Sequence, residues 1–428
     1  MSAQLEAQIE QISLEIERQK VVLRKLESDK SLLQQQLNAE RDPIARLPLE
    51  ISSDIFLQCL PLPSDHGCLQ PKAHLAPLLL LNICNIWTNI ACSTPALWAS
   101  IGISFPHPTG FECLLEGWLR RAGSYPLQIS LRGVCTPRVA SATLHHSAQL
   151  QSLRISFGKT NTDELDNLEE EFCHELLGGF LPQSQMELPC LQMLEIWGQP
   201  GTASVLLESV HRLLRLSPNL SELNIQHITF MKYMDEEDPQ TLVLPHLLHL
   251  TYFDNFDALK ISAPRLETLC TSTGALVEEN FISFLRQSSP PLWKLKLDGR
   301  SVVDSLPDDS MSLLPNLTHL ESSSSDSLFV KELLDFLTRN THIVPRLEAV
   351  QLDEVILEGP GSPGTYVLTA LAGVLSARRS RLKTVRLTND CWNQPLPDDL
   401  TFFRDLLEAG MDIRIAPLPG GLDFLSSS

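Results

Sequence analysis

Nine times between residues 150 and 387 the chain repeats one short pattern: leucine, two variable residues, an aliphatic residue, one variable residue and a sixth position that is aliphatic in most copies. Six copies are clear: Leu150/Leu153/Ile155, Leu191/Leu194/Ile196, Leu220/Leu223/Ile225, Leu292/Leu295/Leu297, Leu347/Val350/Leu352 and Leu382/Val385/Leu387. Three are degenerate: Leu247/Leu250/Tyr252, Leu266/Leu269/Thr271 and Leu317/Leu320/Ser322. A proline two residues ahead opens most copies, at Pro189, Pro218, Pro245, Pro264, Pro315 and Pro345, with Pro290-Pro291 before Leu292. Strand alternation is expected to put Leu191, Leu194 and Ile196 inward and Met193, Glu195 and Trp197 outward. Chance recurrence in an ordinary α/β domain is the alternative, and nine copies with leading prolines weigh against it.

Start-to-start spacings run from 19 to 41 residues, mostly 25 to 35, a rhythm that resembles leucine-rich repeats of irregular length. Between copies, apolar residues three and four apart predict helices over Val205 to Leu216, Val277 to Arg286, Leu328 to Leu337 and Tyr366 to Ser376. A strand–helix unit cannot cover its own apolar face, so neighbours are expected to stack into a solenoid with a continuous core. Leu127, Ile129 and Leu131 are expected to begin the sheet ahead of the first counted copy. The asparagine that follows the strand in regular leucine-rich repeats is mostly absent, so other groups must satisfy the turn.

A different period governs the first 41 residues. Leu5, Ile9, Ile12, Ile16, Gln19, Leu23, Leu26, Lys30, Leu33 and Leu37 alternate by four and three, and eight of these ten are apolar. That is a sustained heptad, and it predicts a coiled coil, with a homodimer through residues 5–37. Glu15 and Lys20 fall at g and e, where they pair across a parallel dimer, while Gln19 and Lys30 occupy core positions. A lone amphipathic helix lying on the body is the alternative. Asp42-Pro43 should break the helix.

Between these regions stands Leu47-Pro48-Leu49-Glu50-Ile51, then Ile55-Phe56, Leu60-Pro61, an apolar run from Leu78 to Trp87, and Pro95-Ala96-Leu97-Trp98. Pro48 suits a first helical turn, Ile51, Ile55 and Phe56 suggest one helical face, and Pro61 ends the helix. A bundle of about 50 residues buries only part of so much apolar surface, which implies a partner. A helical cap sealing the repeats is the other reading. The order and spacing of these residues resemble the F-box, a helical module that docks substrate receptors onto cullin–RING ubiquitin ligases. Residues 62–76 form an insertion longer than the family's usual link and read as a surface loop. The basic residue usual before the first tryptophan is absent from Cys84-Asn85-Ile86-Trp87.

Composition narrows the partner. Net charge is −19, and residues 1–41 hold six Lys/Arg against seven Asp/Glu, so the acidity belongs to the rest of the chain. Such a surface is a poor match for nucleic acid or an anionic membrane and favours a neutral or basic protein. The ten cysteines form no C-x-x-C pair, so neither zinc nor a disulfide framework is indicated. Residues 1–40 are charged throughout and no apolar run reaches membrane-spanning length, so a cytoplasmic or nuclear location is expected.

No nucleophile elbow, phosphate-binding loop or H-E-x-x-H helix is present. His246 and His249 should lie on opposite strand faces, His145-His146 in a loop or at a helix end, and the serines of Glu321 to Ser327 in a flexible, solvated loop. The expectation is a binder that is not an enzyme and needs no cofactor, metal or catalytic residue. The expected fold class is α/β: a coiled-coil helix over 1–41, an all-α F-box-like domain over 44–103, and an irregular, horseshoe-like leucine-rich-repeat solenoid over 104–428.

The resemblance to coiled-coil-containing fungal F-box proteins implies a substrate receptor of an SCF-type ligase, or else a non-degradative scaffold. It implies a Skp-type adaptor and a cullin as partners, with Leu47, Pro48, Ile51, Ile55, Trp87, Leu97 and Trp98 as the adaptor-binding set. Target binding is assigned to the outward strand stripe Arg154, Glu195, Asn224, Thr251, Cys270, Lys296, Glu321, Gln351 and Arg386, with Trp197 and Phe253 as anchors.

Overall fold

The computed structural model describes the chain except Met1 and residues 63–67, 108–109, 134, 158–186, 199–203, 232–239, 254–255, 300–307, 356–362, 389–396, 417–423 and 426–428. Cys173, Cys391 and residues 63–67 of the expected insertion therefore lie outside the described residues. Two compact units result: Met1–Ile103 with His107–Ser130, and Ser104–Pro106 with Leu131–Ser428.

The first unit opens with α1 (Ser2–Arg41), one uninterrupted helix. It stops where expected: Asp42 accepts the Ile44 N–H at 2.9 Å on Oδ1 and the Trp87 indole N–H on Oδ2. Pro48 then caps α2 (Leu49–Gln58). The expectation that Ile51, Ile55 and Phe56 share a face fails. Positions 51 and 56 differ by about 140° around a helix. Phe56 and Ser52 turn inward and are fully buried, while Ile51 and Ile55 point outward. Phe56 packs on Trp87 at a centroid distance of 4.9 Å.

The apolar run Leu78 to Trp87 is not one helix. A single 3-10 turn (Leu79–Asn82) precedes extended Cys84, and α3 (Asn85–Cys92) begins only there. Thr88 Oγ1 donates to the Leu81 and Cys84 carbonyls at 3.0 and 3.1 Å, which holds the bend. The described end of the insertion also departs from a surface loop: Cys68 and Leu69 are buried, and Leu69 O accepts the Gly102 N–H at 2.6 Å from strand β1 (Ser100–Ser104).

Buried tryptophans close the unit. Trp98 donates its indole N–H to Ala91 O at 2.8 Å, Trp118 donates to Trp98 O at 2.9 Å, and the rings meet edge-on at 5.0 Å. Trp118 lies on α4 (Phe111–Ala122), so the unit extends past the expected boundary at residue 103. Leu127, Ile129 and Leu131 are buried in β2 (Leu127–Arg132).

Ten of the twelve strands of a parallel sheet belong to the second unit. They are β3 (Leu150–Ser156), β4 (Met193–Trp197), β5 (Glu222–Gln226), β6 (His249–Tyr252), β7 (Thr268–Ser272), β8 (Lys294–Asp298), β9 (His319–Ser323), β10 (Ala349–Asp353), β11 (Thr384–Thr388) and β12 (Asp412–Ala416). They pair in chain order and the sheet does not close. Register is constant: Leu153, Leu194, Leu223, Leu250, Leu269, Leu295, Leu320, Val350, Val385 and Ile413 form one row, and all are buried. The last strand carries no copy of the pattern, because Gly410 and Met411 stand where the opening leucine and its neighbour would be.

The leading prolines have a local cause. In Leu188-Pro189-Cys190-Leu191 the Leu191 N–H bonds back to Leu188 O at 3.2 Å, a β-turn with proline at its second position, where a fixed φ is already correct. The same bond recurs from Leu220 to Ser217, Leu247 to Leu244, Leu266 to Ala263, Leu317 to Leu314 and Leu347 to Val344. Past the strand, backbone replaces the missing asparagine: Gly198 N–H reaches Gln226 O, Gly299 N–H reaches Ser323 O and Ser324 N–H reaches Asp353 O. Gly299 takes φ 98 there, and His227, Ser324 and Glu354 hold the left-handed conformation at matching positions.

Helix α5 (Pro137–His145) has no predicted span; α6 (Leu207–Arg215), α7 (Glu279–Ser288), α8 (Ser327–Arg339) and α9 (Pro363–Arg378) lie close to theirs, and α10 (Pro397–Glu408) again has none. The serine run is not a flexible loop. Ser322 and Ser325 are buried and hydrogen-bond each other at 2.7 Å, and Asp326 caps α8 by accepting the Leu328 N–H at 2.8 Å.

Candidate interaction surfaces

On the first unit, α2 has two apolar faces. The inner one carries Ser52 and Phe56. The outer one presents Ile51 and Ile55, one turn apart and 48% and 36% exposed, beside Leu47 at 41% and exposed Pro48. Exposed Glu50 and Asp54 border them. An apolar centre with a charged rim is the composition of a protein-docking patch.

The other expected docking residues lie elsewhere. Leu97 and Trp98 are fully buried and cannot touch a partner while the unit stays folded. This corrects their assignment to a contact surface: the indole N–H needs the buried Ala91 carbonyl. Trp87 is half-buried between Phe56 and Asp42 and supports the patch from behind.

On the second unit, the expected stripe falls in one register row: Arg154, Glu195, Asn224, Thr251, Cys270, Lys296, Glu321, Gln351 and Arg386, extended by Arg414. At about 4.8 Å per strand the row is on the order of 40 Å long. Its first charges neutralise each other: Arg154 Nε is 2.8 Å from Glu195 Oε2, and Asn224 donates to Glu195 Oε1 at 3.4 Å. Lys294 lies 2.8 Å from Glu321. Lys296 and Arg386 have no carboxylate partner among the described residues. Trp197 and Phe253 are half-buried rather than open, and His227 meets the Trp197 ring edge-on at 6.3 Å. Trp293, exposed just before β8 and edge-on to His319 at 5.2 Å, is not marked by the pattern because it precedes the alternating part of its copy.

Burial pushes the Cys270 thiol up to about 11 and the Cys135 thiol up to about 12. Both are then protonated at neutral pH, the less nucleophilic form of a thiol. His145 ends α5 with His146 next to it, and burial together with the neighbouring imidazole lowers the His146 pKa. Among the described residues, no group of three or more His, Cys, Asp and Glu is placed to hold a metal ion, and no helix is long and apolar enough to cross a membrane. No protein-family model matches this chain, and no curated protein matches its sequence.

Proposed function

We propose that the chain is the substrate-recognition subunit of an SCF-type cullin–RING ubiquitin ligase. In this reading an F-box-like module docks a Skp-type adaptor, and the repeats form a leucine-rich-repeat solenoid that holds a target protein. The observation that carries it is the outward patch of Leu47, Pro48, Ile51 and Ile55, on a helix already pinned inward by Phe56. A helix apolar on both faces leaves one face for a partner. The receptor performs no covalent step. It raises the local concentration of the target's lysines near the conjugating enzyme. Such a protein works in the cytoplasm or nucleus.

Affinity purification of the full chain with the proteasome inhibited should recover an adaptor, a cullin and an accumulating target. Adaptor without cullin would turn the reading to a non-degradative scaffold. Recovery of neither would refute the docking assignment.

Target capture is placed on the outward row, with Trp197 and Phe253 as its aromatic anchors. Replacing either by alanine should lower target recovery roughly tenfold and leave adaptor recovery unchanged. Loss of cooperative melting in both variants would show that the rings serve the core.

A further inference from the structure

We infer that residues 5–37 pair with the same segment of a second copy of this chain as a parallel, in-register, two-stranded coiled coil. This stands apart from the docking proposal. Within α1 the heptad residues Ile9, Ile12, Ile16, Leu23, Leu26, Leu33 and Leu37 are all exposed, on a helix of 40 residues. At 1.5 Å per residue that stripe runs for roughly 50 Å. A soluble chain rarely leaves such a stripe bare, and a second copy carries an apolar row of the same pitch.

At full overlap of the two helices, the flanking charges favour the parallel orientation. In a parallel pair, Glu15 at g meets Lys20 at e of the other copy, and symmetry makes this contact twice. The fully overlapping antiparallel alignment sets Ile9 against Leu33 and Ile16 against Leu26, but also Ile12 against Lys30 and Leu23 against Gln19. It then faces Lys20 with Lys20 and Glu15 with Asp29, two kinds of like-charge contact. In the single chain Lys20 lies 2.8 Å from Glu17 and Gln19 donates to Glu15 at 2.7 Å. Lys20 and Glu17 are exposed, so a rotamer change frees Lys20 for the other copy.

The core's polar positions fit two strands. Gln19 meets its own twin, whose amide can both donate and accept, and a lone lysine layer at Lys30 specifies register and strand number at a cost in stability. Because the pair is parallel, both modules begin at the same end of the stem, directly after Asp42. The assembly then presents two outward α2 faces and two sheets, and it would bind a repeated or dimeric partner with avidity.

The test uses the full chain. Light scattering at micromolar concentration should give about twice the 47.8 kDa of one chain. Ile16→Glu with Leu26→Glu should return the single-chain mass without changing the melting of the remainder. A single-chain mass for the unaltered protein, or a trimer or tetramer, overturns the inference. For orientation, Ile9→Cys under mild oxidation should cross-link to itself. The unaltered chain treated alike controls for exposed Cys59, Cys92, Cys113 and Cys190. Cross-linking only when Ile9→Cys is mixed with Leu33→Cys would mean an antiparallel pair and overturn the assignment.

Discussion

Replacing Arg378 by leucine is expected to destabilise the second unit by about 3–5 kcal/mol, with a fall in Tm on the order of 10 °C. The guanidinium sits at the end of α9, almost wholly buried. Its Nε donates to Leu337 O at 2.9 Å, one terminal nitrogen to Val344 O at 2.9 Å, and the other to Asn340 O and Ile343 O at 2.8 and 2.9 Å. Those carbonyls belong to the last turn of α8 and the loop that leads into Pro345. A helix C-terminus carries partial negative charge, so it suits a cation better than a neutral donor. Burial, followed by the nearby Arg381, lowers the Arg378 pKa, yet a guanidinium remains charged at any ordinary pH. Leucine fills part of the volume and strips four carbonyls, three of them in buried hydrogen bonds, of a charged donor. Lysine should restore only part of the loss, because one ammonium cannot match a planar fork spread over four carbonyls. Thermal and denaturant melts of the two variants decide the point. A loss below about 1 kcal/mol for leucine would mean that water replaces the guanidinium.

Arg378 also marks a limit of reading the sequence. In Ala377-Arg378-Arg379-Ser380-Arg381 it looks like one of several solvated cations at a helix end. Nothing local reveals that the helix turns this one toward the preceding loop. The repeat rows were legible because their cause is local: a period of two settles which face each leucine takes, and Pro-x-Leu states its own turn. Ser322 followed from that logic in position but not in chemistry. It occupies the inward row of a degenerate copy, where isoleucine or leucine is usual, and its hydroxyl pairs with that of Ser325. Composition alone made the same run look like a loop. The Leu-Pro and tryptophan pattern was legible as a spacing but not as a surface. Spacing says nothing about which way Leu97 and Trp98 point, and both are buried. On α2 the error was angular, since Phe56 sits too far around the helix to share the face of Ile51.

That correction sharpens the test of the docking proposal. Leu47→Ala with Ile51→Ala should weaken adaptor binding about a thousandfold, taking roughly 2 kcal/mol for each anchor and additivity between them. Both side chains are exposed, so neither truncation opens a cavity, and the melting temperature should move by no more than about 2 °C. Pro48 is a less clean probe, because it sets the start of α2 as well as lying on the patch. Phe56→Ala provides the contrast: it removes a fully buried ring packed on Trp87, costs about 3–5 kcal/mol, and lowers binding by unfolding the module. The two mechanisms separate when calorimetry of binding is set beside thermal melts of the same samples. Weak binding by a folded Leu47→Ala/Ile51→Ala variant is what an outward docking face demands. Full binding by that variant would place the adaptor contact elsewhere on the chain, and the patch would then belong to some other partner.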